Sequence, residues 1–453
     1  MGKSYSLEPK EVKRVETKYR RILTKIPVPE SIPILEKLRK YEPVSMSGQP
    51  PIVWEKAEGI NVYDKYGNKW LDFSSGVLVA NSGHSNPFVL EEIKNQIEKP
   101  LLHNYCFPSE IRAKLVEKIA SLSPEPLKKV FLLTTGAETT ECAIKLARTW
   151  GKKKNKKVIV SFEGAFHGRT LGAQLIGGIP ALKEWIVNPD PDIVQVPYPG
   201  DPRVKDKSFS LFEKTLKENG IDGKDVCAVI SETYQGANAA LMPVEYAQVL
   251  RKWCDEQEAL LIFDEVQAGF GRTGTFWGFQ HYGILPDIFC LGKGMSSSLP
   301  ISAVVGREEI MDQYAPGTMT STHTGNPVCC AAALGNIKAI EENKLWENAE
   351  RMGNVFEEEL NKIKNKFSCV GFVCGVGMVW ALLIVKNGTE EPDPDKAFEI
   401  VRRCFEKGLL FFAPVGYKGA AIKICPPLII GEEAIREGCN VIEEAIEEVE
   451  NGN

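Results

Sequence analysis

Between about Pro87 and Ile340 two hydrophobic rhythms alternate along the chain. Short, almost unbroken apolar runs (KVFLLTT, KVIVSFEG, DVCAVISET, ALLIFDEV and DIFCLGKG) are separated by stretches such as SEIRAKLVEKIASL, ETTECAIKLARTWGKK and EYAQVLRKWCDEQ, whose apolar residues recur at helical spacing. Short apolar runs belong to strands buried on both faces, and the helical spacing belongs to amphipathic helices. Their alternation predicts a largely parallel sheet covered by helices.

The flanks follow other patterns. NVYDKYGNKWLDFSSG alternates apolar and polar positions around a Tyr-Gly-Asn turn and predicts a short β-meander. The charged, proline-punctuated start (KIPVPESIPILEKLRKYEPVSMSGQPP) predicts an arm laid on a surface. From NAERMGNVFEEELNKI to EEAIREGCNVIEEAIEEVE, amphipathic helices mix with the strands GMVWALLIV and AIKICPPLII. We expect an arm and meander over residues 1–86 that contribute to a small domain, a large domain over 87–340, and an α+β C-terminal domain over 341–453. No internal repeat or low-complexity block interrupts this order.

Composition narrows the function. A chain of 453 residues exceeds one ordinary core, which agrees with a two-domain reading. With 25% charged residues and a net charge of -5, it lacks the basic footprint of a nucleic-acid or anionic-membrane binder. No apolar run is long enough for a membrane span. Twelve cysteines without a CxxC pair, and a start without an apolar signal core, lead us to expect a reducing cytoplasm.

In an open α/β sheet, ligands gather where the strands end, so the chemistry is sought there. FLLTTGAETTECAIKLAR runs from strand through a small-residue turn into a helix, so amides around Thr135, Gly136 and Ala137 could meet a phosphate; the Gly-Lys-Ser/Thr of a P-loop is absent. VIVSFEGAFHGRT delivers Phe166 and His167, either a platform for a flat ring or simple packing. LLIFDEVQAGFGRTG ends a buried run on Asp264, which needs a cation or donors; a salt bridge to Arg272 is the structural alternative, and Glu265 beside it reads as structural. PDIFCLGKGMSSSLPISAVVG places Lys293 between two glycines at the end of the next strand. An amine, an acid, a stacking ring and a phosphate cup are together the requirements of pyridoxal 5'-phosphate (PLP). No metal-ligand set is assigned.

In these motifs the chain resembles the class III aminotransferases of PLP fold type I, among them ornithine, acetylornithine and 4-aminobutyrate aminotransferases. The likeness runs from PPIVWEKAEGINVYDKYGNKWLDF to PPLIIGEEAI. The resemblance implies an α/β fold with a large domain on a mostly parallel seven-stranded sheet and a smaller α+β C-terminal domain. It implies that Lys293 carries the cofactor, Asp264 pairs with the pyridinium nitrogen, Gln267 lies near the ring hydroxyl and Phe166 stacks on the ring. Gly136 and Ala137 hold the phosphate, with Thr135, His167 and Glu232 in the same site. Thr322, in STHTGNP, would reach the phosphate of a neighbouring subunit, giving a homodimer with shared sites or a tetramer built from it; His323 stands where the family often has an aromatic. Lys423 and Tyr105 fall on the substrate side. At ~4 Å and an effective dielectric of ~20, an acid beside the pyridinium contributes roughly 4 kcal/mol, about three pKa units. The activity implied is transfer of an amino group between an amine or amino acid and a keto acid. A racemase or epimerase of the same fold is the alternative, a decarboxylase a third, and a PLP-binding regulatory protein the reading from another class.

The family pattern breaks at two places. Dual-substrate members carry a second glutamate in a segment like EPIQGEGG and an arginine before a C-terminal PPL. Here ETYQGANAA keeps Glu232, Gln235 and Gly236 but has Ala237 at the second glutamate, and IKICPPL has Lys423 at the arginine. A lysine keeps the charge and loses the bidentate fork, so carboxylate recognition should be looser, or met elsewhere.

Overall fold

The apolar runs of the central region become strands of one sheet in the computed structural model, which describes residues 3–452. In chain order the strands are β1 (Lys129–Leu133), β2 (Val158–Phe162), β3 (Ile193–Val196), β4 (Val226–Glu232), β5 (Leu260–Asp264), β6 (Ile288–Leu291) and β7 (Ser302–Gly306). They lie in the order β1-β7-β6-β5-β4-β2-β3. Only β7 runs against its neighbours; the other pairings are parallel. This is the mostly parallel seven-stranded sheet that the family resemblance implied.

Two of these strands lack the signal that marked the others. β3 reads IVQV and is only partly buried until Val196, and β7 carries small Ser302 and Ala303 before its two valines. By contrast Leu260, Leu261, Ile262 and Phe263 of β5 are at most 1% exposed. Helix α1 (Gly136–Lys152) lays Cys142, Ala143, Leu146 and Ala147 into a core shared with Ile159, Ile230, Leu260 and Ile262. Each large aliphatic side chain buried there contributes roughly 1.5–3 kcal/mol.

Register does the first part of site assembly. Asp264, the last residue of β5, pairs with Glu232 at the end of β4 and with Cys290 of β6. Two carboxylates and the turn that follows β6 therefore share one end of the sheet.

Contacts divide the chain into two units. One is Pro87–Glu347, which holds this sheet; the other joins the chain up to Asn86 with the chain from Asn348. In the second unit Asn61–Tyr63 and Lys69–Asp72 form the expected antiparallel pair. Asp64 fixes its turn, its Oδ1 accepting from the amides of Tyr66 and Asn68 at 2.9 Å each. Arm residues Ile22 and Ile26 pack there with Val62, Trp70 and Phe405. Val370–Val376, Val379–Ile384 and Ala421–Ile424 make a separate three-stranded antiparallel sheet. No helix among the described residues is long and apolar enough to cross a membrane.

Candidate active site

Lys293 lies one residue clear of the end of β6, at φ 40° between Gly292 and Gly294. That left-handed conformation is uncommon for a residue with a side chain, and strain of this kind concentrates at working sites. Its amine takes no hydrogen bond or ion pair from the described residues, and burial pulls it below the ordinary lysine value despite the charges of Asp264 and Glu232.

Asp264 answers the question raised by an apolar strand that ends on charge. Its Oδ2 accepts from Nδ1 of His167 at 2.8 Å and its Oδ1 from the amide of Val266 at 3.0 Å. The partner is therefore His167, not Arg272. Burial opposes charge on His167, but the hydrogen bond to Asp264 and the charges of Asp264 and Glu232 outweigh it, so the imidazole sits above its ordinary value. Glu232 is pinned by donors: Oε2 accepts from the Phe166 amide at 2.9 Å and Oε1 from the Gly236 amide at 2.8 Å. Burial raises its carboxyl against the opposing pull of His167.

Helix α1 opens with a capping box. Thr135 accepts from the Glu138 amide at 3.3 Å, and the Glu138 carboxylate accepts from the Thr135 amide at 2.8 Å. The next two amides, Gly136 and Ala137, lie in the first turn, where no intrahelical acceptor exists, and face the positive end of the helix dipole. Close packing requires glycine here. A Cβ on Gly136 would lie 2.8 Å from Cγ1 of Val266, and one on Gly168 2.7 Å from Cβ of Ala137.

These groups surround one cavity of about 130 Å³, lined by Gly136, Ala137, Phe166, His167, Gly168, Glu232, Asp264, Val266, Gln267 and Lys293. Thr135 caps the helix instead of lining it. Thr322 is elsewhere on the large unit, in an open cleft of about 770 Å³ with Glu138, Thr170 and Thr320. Tyr105 is 40% exposed and bonds Oγ1 of Thr320 at 3.0 Å. Lys423 belongs to the other unit, opposite Ala381 in the three-stranded sheet and 2% exposed.

Sequence reasoning missed the His167–Asp264 pair and the place of Val266. A buried acid guarantees a partner but does not name one 97 residues away. The capping box was legible in the Thr-x-x-Glu spacing of TGAE. Glu265, by contrast, is structural as expected: it accepts from the Thr233 hydroxyl and from the amides of Gly278 (2.7 Å) and Phe279 (2.9 Å).

The donor set fits PLP. There is an untied amine for its aldehyde, an acid secured at a fixed point, helix-start amides for a phosphate, and a glycine-lined wall where any Cβ would intrude.

Comparison with known proteins agrees. The family model described as "Aminotransferase class-III" matches residues 44–446. The probable 4-aminobutyrate aminotransferase of Bacillus subtilis is 32% identical over 404 residues, covering 86% of this chain and 91% of that protein. The leucine/methionine racemase of Thermococcus litoralis is 34% identical over 431 residues, covering 92% and 96%. The ornithine aminotransferase of Toxoplasma gondii, solved with partial occupancy of PLP at its active site, matches with a TM-score of 0.82 at 27% identity, over 94% of this chain and 96% of its own. Matched over that span, the chain belongs to the class III aminotransferases, enzymes that use PLP to move an amino group between an amine or amino acid and a keto acid.

Proposed function

We propose that this protein is an aminotransferase in which Lys293 both anchors the cofactor and carries the substrate's α-proton. The observation behind this is that, among the described residues, Lys293 is the one titratable side chain of the cavity that nothing holds; Asp264, Glu232 and His167 are each tied by hydrogen bonds. When bound, PLP supplies an aldehyde for the incoming amine and a protonated ring that draws electrons from the α-carbon. The chain's own residues do the rest. Amides of Gly136 and Ala137 hold the phosphate, Phe166 and Val266 give the ring apolar walls, and Gln267 is assigned to the ring hydroxyl. Asp264 holds a proton on the ring nitrogen, and Glu232 fixes the loop that carries Phe166.

The second reading is a racemase, which the racemase relative's coverage of 92% of this chain favours. A racemase must deliver a proton to either face of the α-carbon, and the cavity offers one untied carrier. A panel of amines and L-amino acids decides between them. We expect turnover that requires a keto acid and converts the bound cofactor to its amine form. Enantiomer exchange without a keto acid would establish the racemase instead.

The working form we propose is a homodimer, with the Thr322 cleft facing a second copy of the chain. Leu101, Leu102 and Phe107, on the segment of Tyr105, expose apolar surface in support of that interface. The setting we propose is the cytoplasm, in keeping with the absence of any disulfide among the described cysteines.

A further inference from the structure

Lys293 stands in a turn that its own sequence does not hold. Gly292 and Gly294 on either side place few limits on the backbone, so they permit the left-handed φ of 40° at Lys293 without enforcing it. A conformation of that kind persists only where the surroundings over-determine it. Within the turn, the Met295 amide donates to the Gly292 carbonyl at 2.9 Å. A tie from outside comes from α2 (Pro327–Glu342), a helix whose other buried residues are proline, alanine, glycine, isoleucine and a cysteine. Asn336 stands among them, fully buried. Its Nδ2 donates to the carbonyl of Gly294 at 2.7 Å and to that of Met295 at 3.0 Å, while its Oδ1 accepts from the Ser297 hydroxyl at 2.6 Å. Carbonyls only accept, so the chemistry fixes which end of the amide faces the turn. Asparagine is a poor helix former, and an apolar side chain would fill a buried helix position at less cost. What an apolar residue cannot supply is a pair of donors for the backbone just past the lysine.

We propose that Asn336 is a positioning residue for Lys293: by tying the two carbonyls that follow the lysine to α2, it sets the point from which the amine reaches the cofactor's aldehyde and the substrate's α-proton. This rests on the aminotransferase reading above. The lysine stem is flexible, so the aim of the amine depends on where its α-carbon stands. A displacement of about 1 Å at a reacting group is enough to cost about 100-fold in rate. Asn336 does not line the cavity that holds Lys293, so its effect passes through the turn.

The test uses holoenzyme without substrate and then with it. Asn336→Leu removes all three side-chain bonds; Ser297→Ala removes only the one from the hydroxyl and leaves both carbonyls tied. Both variants should still bind the cofactor through the phosphate amides. In Asn336→Leu the visible band of the bound cofactor should lose most of its circular dichroism, which reports a ring held in one orientation. Its amine half-reaction should lose about 30-fold or more in kcat, with KM changed by no more than about threefold. Ser297→Ala should keep the dichroism and stay within about threefold of the wild-type kcat. A role confined to stability would lower the urea midpoint of Asn336→Leu and leave its dichroism and kcat as in the wild type. That result overturns the proposal, as does a Ser297→Ala enzyme as impaired as Asn336→Leu. If Asn336→Leu does not fold, Asn336→Ala, a better helix former, takes its place and should show the same two losses. Absence of any cofactor band in the wild type would refute the aminotransferase reading itself.

Discussion

Asp264→Asn removes a charge and one of the two acceptors that take the Nδ1–H of His167 and the amide of Val266, so one of those bonds is lost unless the imidazole moves its proton to Nε2. The phosphate amides and Lys293 are untouched, so cofactor content should stay near one per chain while the amine half-reaction slows by about 100-fold or more. Stopped-flow spectra of the bound cofactor measure this; a half-reaction at the wild-type rate would remove Asp264 from its role. Glu265, next to it, should behave oppositely. Burial pushes its carboxyl up to about 7, against 4.5 for an ordinary glutamate, so between those values the folded chain keeps a proton that the unfolded chain has lost. Its contribution to stability therefore falls as pH rises through that window, by roughly 3 kcal/mol in all. Denaturant titrations from pH 5 to about 8 should show Glu265→Gln without that part of the slope and with an unaltered cofactor spectrum. An identical slope would show that Glu265 is already ionised in the fold. Lys293 has its own pH signature. Because burial lowers its amine below the ordinary 10.5, uptake of PLP by the apoenzyme should rise with pH and level off below that value.

Elements explain why some of this was legible. Five apolar runs became β1, β2, β4, β5 and β6; β2, β4, β5 and β6 are buried at every position, and burial on both faces favours near-continuous apolar sequence. β3 lies at a sheet edge and is only partly buried, and β7, though buried throughout, is built largely of the small residues Ser302, Ala303 and Gly306, so periodicity passed over both. The same logic exposed Asp264 and Lys293, charges at or just past the ends of apolar strands, and a third strand end offered His167; what it could not show was the bond between His167 and Asp264, a tertiary contact with no local pattern. The tight join between α1 and the loop after β2 is an element-level feature that can be probed alone. Gly168 sits at φ 134° with Ala137 behind it, so Gly168→Ala must shift the start of α1. We expect PLP affinity to fall about tenfold or more, read by equilibrium dialysis, with a loss of stability of about 1–3 kcal/mol. Unchanged affinity would mean that the phosphate is held elsewhere.

At the scale of the whole molecule, the departures at Ala237 and Lys423 bear on what the enzyme accepts. Without the switch glutamate and the arginine fork, ornithine and 4-aminobutyrate should be poorer donors than a primary amine or an α-amino acid by about tenfold or more, and Lys423→Arg should shift that ranking. Steady-state kcat/KM for the four donor classes measures it; preference for ornithine or 4-aminobutyrate, or no response to Lys423→Arg, would show that these positions do not set specificity. Light scattering should give the mass of a dimer, and Thr322→Val should weaken cofactor retention; a monomer that keeps its PLP would exclude shared sites. Every expectation that involves the cofactor depends on one amine. Borohydride reduction of the holoenzyme followed by peptide mapping should place the pyridoxyl label on the peptide that contains Lys293, whereas a label on any other lysine would contradict the account.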